Sequence, residues 1–190
     1  MLFLFLFACQ EIDETSLPIE DDSAIFDEGH PCFQTPPTLI IGEGETEFGP
    51  FNEELESVMV HGPQGGWHIE VALSLENMLQ VLEIEYRIKH IPSGVFVSEN
   101  NYRIAMVMKG ECSGELPGLY GYLSVVSLME GDVDTPPEIL GGEPLEITIR
   151  INDCSNSAEA DGFCTPEERW VEEKVVVTAT LDPQDQITEN

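Results

Sequence analysis

Two histidines bracket a glycine-rich turn in the run His61-Gly62-Pro63-Gln64-Gly65-Gly66-Trp67-His68. Met59 lies two residues before His61, and residues two apart on a strand share a face. Imidazole and thioether together suit copper. If the flanking strands pair as a hairpin, His61 and His68 come nearly opposite each other, and Met59, His61 and His68 form a candidate copper set. Two turn or surface histidines explain the same spacing more simply, and Met106 and Met108 alternate against Arg103 and Lys109 as core residues would. The turn also has two readings as a surface. Pro63 fixes φ, while Gly65 and Gly66 supply positive φ. Trp67 then either covers one end of the core or stands out from a rigid binding loop made of Gly62, Pro63, Gln64, Gly65, Gly66, Trp67 and His68. It is not a phosphate loop: no Lys-Ser/Thr follows, and the next element is a strand, not a helix whose N-terminus could hold an anion.

A second group of ligand-type side chains lies between Asn152 and Gly162. Asp153, Asn156, Glu159 and Asp161 are oxygen donors, and calcium takes six to eight oxygens. The spacing is not that of an EF-hand. The plainer alternative is a solvated surface loop, and Asp132 and Asp134 form a second acidic turn with the same two readings. Catalysis finds little support. No Gly-x-Ser-x-Gly elbow and no His-Glu-x-x-His pair occurs, and Ser113 has no elbow around it. With 37 acidic residues, a pair of carboxylates arises by chance and is no signature. The chain therefore reads as non-enzymatic.

The elements that carry these residues begin with an address. The apolar run Leu2-Phe3-Leu4-Phe5-Leu6-Phe7-Ala8 ends in Cys9, and the acidic stretch Gln10-Glu11-Ile12-Asp13-Glu14 follows. Leu6 stands three before the cysteine and Ala8 just before it, which resembles the signal of bacterial lipoproteins. In that family the chain is cut before the cysteine and lipid is attached to its sulfur. The resemblance implies a signal peptide over residues 1–8, a lipidated Cys9, and a place in the bacterial cell envelope, anchored at the outer membrane or cell surface. The run is too short to span a bilayer, which needs about 20 apolar residues, and no second stretch of that length occurs.

With Cys9 set aside, Cys32, Cys112, Cys154 and Cys164 remain. An even count in an exported chain favours two disulfides, with three pairings open. Cys154 with Cys164 is preferred because a polar loop, Ser155 to Phe163, lies between them; Cys32 with Cys112 then ties the start of the chain to the middle of the domain. A four-cysteine zinc site is disfavoured because there is no Cys-x-x-Cys pair.

The formal net charge of −30, from 37 acidic and 7 basic residues, repels nucleic acid and anionic membrane surfaces. It suits either solubility or attraction for a cation or basic partner. Residues 9–37 are acidic, poor in aromatics and without a period, and Pro31, Pro36 and Pro37 close the segment. Such a stretch cannot bury enough apolar surface to order itself and reads as a disordered, self-repelling tether.

From residue 38 the pattern has period two, the mark of half-buried strands. Ile69–Leu75, Leu82–Ile88, Tyr102–Met108 and Ile147–Ile151 alternate most clearly. Thr38–Ile41, Glu56–His61, Leu119–Met129 and Glu173–Leu181 complete eight or so strands, separated by Gly62–Gly66, Pro92–Gly94, Thr135–Pro137 and Gly141-Gly142. No stretch of twelve residues carries a helical stripe. The expected fold is all-β: an immunoglobulin-like sandwich of two antiparallel sheets over residues 38–183, with a tail at 184–190 and a jelly roll or small barrel as the alternative.

The Gly-Pro-Gln-Gly-Gly-aromatic-His phrase, with Glu47-Phe48-Gly49-Pro50-Phe51 upstream, resembles uncharacterised acidic bacterial lipoproteins over about residues 45–76. The resemblance implies location and a β fold, and no activity. The expectation is a lipid-anchored β-sandwich that binds an unknown protein or surface ligand and not nucleic acid. No cofactor is expected; the alternative is a periplasmic metal-binding protein, calcium before copper.

Overall fold

The computed structural model describes residues 30–62, 65–129, 135–153 and 170–182. Alternation becomes nine strands: β1 Thr38–Gly42, β2 Glu56–His61, β3 Trp67–Glu76, β4 Val81–His90, β5 Val95–Ala105, β6 Val107–Met108, β7 Ser113–Leu123, β8 Pro144–Asp153 and β9 Trp170–Leu181. One layer runs β5-β4-β8-β9 and the other β2-β3-β7-β6, with β1 also on β3. The chain crosses between layers from β3 to β4, from β5 to β6 and from β7 to β8, the Greek-key path of an immunoglobulin-like sandwich. One point differs from two separate antiparallel sheets. β2 pairs antiparallel with β3 and, through Glu56–Met59, parallel with Thr178–Leu181 of β9. That one strand hydrogen-bonds both layers into a continuous sheet.

The core follows from period two. In β8 one side is Leu145, Ile147, Ile149 and Ile151, all fully buried, while Glu146, Thr148, Arg150 and Asn152 face outward. β4 does the same with Leu82, Ile84, Tyr86 and Ile88. Across the sandwich lie Ile69, Val71, Leu73 and Leu75 of β3. Tyr86 is the largest buried side chain, and its hydroxyl donates to the Ile69 carbonyl at 3.1 Å, so a core phenol keeps a partner. Burial pushes its ionisation far above the ordinary tyrosine range. Gly121 of β7 faces inward: a Cβ there would lie 3.0 Å from Ile88 Cδ1, Ser98 Oγ and Tyr86 Cζ. The position is glycine because the facing layer fills the space.

β5 and β7 meet at the side of the sandwich without a regular ladder. Side chains close this seam instead. Asn100 Oδ1 accepts from the Tyr122 amide at 3.1 Å and from the Ser98 hydroxyl at 2.7 Å. The Tyr102 hydroxyl donates to the Tyr120 carbonyl, and the Ser124 amide donates to Val97 O at 2.7 Å. Edge groups that would otherwise stay open to another chain are thereby occupied.

Three boundaries differ from the sequence pattern. β5 begins at Val95, seven residues before the clear alternation, because a bulge between Ile88 and Lys89 shifts its register and polar Ser98, Asn100 and Asn101 break the apolar pattern. β7 begins at Ser113 and ends at Leu123; Pro117 and Gly118 mark a bulge against Val71–Leu73 and hide its first half. Thr135-Pro136-Pro137, read as a turn, opens a one-turn helix, α1 Pro136–Leu140. Glu138 Oε2 accepts from the Thr135 amide at 2.7 Å and from its hydroxyl at 3.0 Å. The amide bond, then the hydroxyl bond, holds the Glu138 carboxyl below the usual carboxylate range.

The ordered body starts before Thr38. Pro31–Phe33 form a 3-10 turn, and fully buried Cys32 is joined to Cys112. Residues 30–37, assigned to the tether, are thus stapled to the domain; the rest of the tether, Cys9, Cys154, Cys164 and the tail lie outside the described residues.

Candidate functional site

The hairpin expected around residues 61–68 is present, and it separates the two histidines. Met59 pairs with Ile69, Val60 with His68 and His61 with Trp67. His68 is therefore offset by one residue from His61, and a one-residue offset puts side chains on opposite faces. Met59 does share a face with His61, as period two requires, but Met59 is fully buried and His61 exposed. The Met59, His61, His68 copper set does not assemble, because the register fixes its two imidazoles on opposite sides of the sheet.

The turn itself is built as its glycines imply. Gly65 and Gly66 both have φ of 85°, the Gly62 amide donates to Gly66 O at 2.9 Å, and the Gly65 amide donates to Gly62 O at 3.0 Å. Pro63 and Gln64 lie outside the described residues. Trp67 packs partly buried against the core, with the His61 ring 5.0 Å away. The partly buried Trp67 fits the reading in which it covers one end of the core.

The outer face of β2, β3 and β7 carries the more unusual group. His68 and Glu70 alternate outward from β3, and their register partners on β7 are Tyr122 and Tyr120. Ring centroids stand 5.4 Å apart for His68 and Tyr120, 6.2 Å for His68 and Tyr122, and 5.4 Å for the two tyrosines, which meet edge to face. Glu70 Oε1 lies 3.3 Å from His68 Nε2 and fixes the imidazole plane. Tyr120 is 39% and Tyr122 53% exposed, and Val58 of β2 adds apolar surface at 41%. Both tyrosine backbones are tied into the β5–β7 seam through Asn100 and Tyr102. Tyr102 sits below this patch; burial first, then the neighbouring Tyr122 and Tyr120, push its hydroxyl up to about 12. The arrangement is a rigid aromatic platform with a carboxylate at its base. Rings stack on apolar or cationic groups, and phenol, imidazole and carboxylate supply hydrogen bonds around them. The sequence does hold its signal: Tyr120-Gly121-Tyr122 puts two rings on one face around an inward glycine.

The oxygen-ligand group is only partly in view. Asp153 ends β8, fully buried, and its Oδ2 accepts from the Leu79 amide at 3.4 Å. Asn156, Glu159, Asp161, Asp132 and Asp134 lie outside the described residues. One His/Cys group, His30, Cys32 and Cys112, brings its ligand atoms within 4.8 Å, but the disulfide consumes both sulfurs. Among the described residues no helix is long and apolar enough to cross a membrane.

No protein-family model matches the chain, and no curated protein matches it.

Proposed function

We propose that the chain is a non-enzymatic lipoprotein of the bacterial cell envelope, held by lipid on Cys9 and presenting its sandwich as a binding module. The aromatic face of Tyr120, Tyr122, His68 and Glu70 is the contact surface for a protein or surface ligand. One observation carries this reading: two exposed tyrosines stand side by side on β7, locked from behind by bonds from their backbone to Tyr102 and Asn100. Rings held this way lose little freedom on binding, which is why tyrosine is favoured at contact surfaces. The metal-binding alternative, calcium before copper, rests on a loop whose residues Asn156, Glu159 and Asp161 lie outside the described residues.

The test has two parts. Radiolabelled palmitate should enter the wild-type protein and not a Cys9→Ser variant, which should leave the membrane fraction. Tyr120→Ala with Tyr122→Ala should keep the membrane location and the melting temperature but lose retention on isolated envelope fragments. A Cys9→Ser chain that stays membrane-bound sinks the anchor. Undiminished retention of the double tyrosine variant sinks the contact surface.

A further inference from the structure

The outer face of the β5-β4-β8-β9 layer is unlike the rest of this chain. Register alignment sets four outward rows across it. The first is Arg103, Glu83, Asn152 and Trp170; the second is Asn101, Glu85, Arg150 and Glu172. The third is Glu99, Arg87, Thr148 and Lys174; the fourth is Phe96, Lys89, Glu146 and Val176. Five of the seven basic residues of the sequence stand here, matched by five acidic ones, so the face is formally neutral in a chain of net charge −30. Two copies that met on this face would not bring acid against acid.

The pattern is also complementary to itself. A two-fold axis along the strands, midway between β4 and β8, lays β4 over β8 of a second copy and β5 over its β9. Lys89 then faces Glu146, Glu85 faces Arg150, and Glu99 faces Lys174. Phe96, 45% exposed, faces Val176, 46% exposed, so these open apolar side chains cover each other. Arg103 faces Trp170, whose ring already carries Arg150 at 4.8 Å in its own chain. No row sets like charges against each other. Aligned faces of two twisted sheets pack about 10 Å apart, and an axis along the strands gives that alignment.

We propose that this face is the interface of a two-fold homodimer. A heterologous basic partner would be drawn to acidic surface, not to a neutral face; equal and alternating charge fits a second copy. The area is small, roughly 19 Å by 25 Å per copy from strand spacing and rise. That places the dimer at the weak end of specific interfaces, in the micromolar range. The inference stands apart from the aromatic surface, which lies on the other layer.

The test uses the full chain in non-ionic detergent, labelled in two colours, with energy transfer and sedimentation velocity as readouts. Glu99 and Lys174 are separated by two intervening strands within one chain, roughly 14 Å at ordinary strand spacing, so a coupling between them is intermolecular. Glu99→Lys alone and Lys174→Glu alone should each weaken self-association at least about tenfold, because each creates two like-charge contacts per dimer. Mixing those two variant chains should restore it, because every contact in the mixed pair is again opposite in sign. A wild-type chain that stays monomeric at about millimolar concentration overturns the proposal. So does association that neither single variant weakens, or variants whose mixture stays apart while each alone keeps the wild-type melting temperature.

Discussion

Asn100→Ala tests whether the side of the sandwich is closed by side chains. Asn100 Oδ1 accepts from the Tyr122 amide and from the Ser98 hydroxyl, and Ser98 is only 4% exposed. Truncation removes both bonds. The Tyr122 amide lies at an exposed edge, where water replaces much of the loss, so this bond contributes about 0.5–1 kcal/mol. The buried hydroxyl has no such substitute at its present rotamer and costs about 1–1.5 kcal/mol if it stays unsatisfied. The sum is about 2 kcal/mol, or roughly 4–8 °C in melting temperature for a domain of this size. Urea unfolding followed by tryptophan fluorescence reads it directly, with an unchanged slope reporting unchanged exposed area. Asn101→Ala is the matched control, since Asn101 is exposed on the adjacent position of β5 and should shift stability by less than about 0.5 kcal/mol. The variant should also aggregate faster, because the β7 edge is uncovered. An Asn100→Ala protein as stable as the Asn101→Ala control refutes the side-chain seam.

Three further outcomes follow from the same packing. Gly121→Ala should destabilise by about 1–3 kcal/mol in thermal or urea melts, because the added methyl meets Tyr86, Ile88 and Ser98 at 3.0 Å in a filled core; full stability would mean the layers part easily. Replacing Cys32 and Cys112 together by alanine should cost up to about 4.5 kcal/mol on the chain-entropy model for a span of 80 residues, read by the same denaturation and by lost protease resistance near the start of the domain. Tyr102 has a raised value, so the folded state holds its phenolic proton more tightly than the unfolded chain. Its contribution is fully present below pH 10.0 and is lost as pH rises through about 12. Ultraviolet titration should show a late-ionising tyrosine that disappears in Tyr102→Phe, and an unchanged titration would remove Tyr102 from the seam.

The parts of the fold that the sequence shows best are the strands buried on one face only. In β4 and β8 every second residue is apolar and every other one polar, so period two is undiluted. The first halves of β5 and β7 carry Ser98, Asn100, Gly114 and Pro117, whose reasons are tertiary: Asn100 faces a seam partner, and Gly114 yields to Met106 and the Val107 carbonyl, which a Cβ would meet at 2.9 Å or less. No local pattern announces a partner on another strand. The site shows the same limit. His61, Trp67 and His68 drew attention as residue types, yet only register decides that two of them face opposite ways. Tyr120 and Tyr122 sat in view but acquire meaning only beside His68 and Glu70 from another strand.

Charge adds what hydropathy leaves open. A chain with 37 acidic residues could have spread its seven basic ones evenly, which would have lowered self-repulsion everywhere by a little. Instead five stand on one four-stranded face, each beside a carboxylate: Arg87 Nη2 is 2.9 Å from Glu85 Oε2, and Lys174 Nζ is 3.7 Å from Glu146 and 3.9 Å from Glu172. Exposed pairs of this kind contribute little to stability, at most about 1 kcal/mol each, so stability does not explain their concentration. Approach between copies does. Long-range repulsion between two strongly acidic chains is cut off beyond roughly 8 Å at physiological salt, whereas paired charges at contact are screened less. Self-association should therefore be weak at about 10 mM salt, where repulsion reaches farther. It should strengthen toward about 150 mM and weaken again at about 1 M as the contact pairs themselves are screened. A purely apolar contact would strengthen steadily across that range, and a purely attractive electrostatic one would weaken steadily. Either monotonic course would contradict a neutral, charge-paired face on an otherwise acidic molecule.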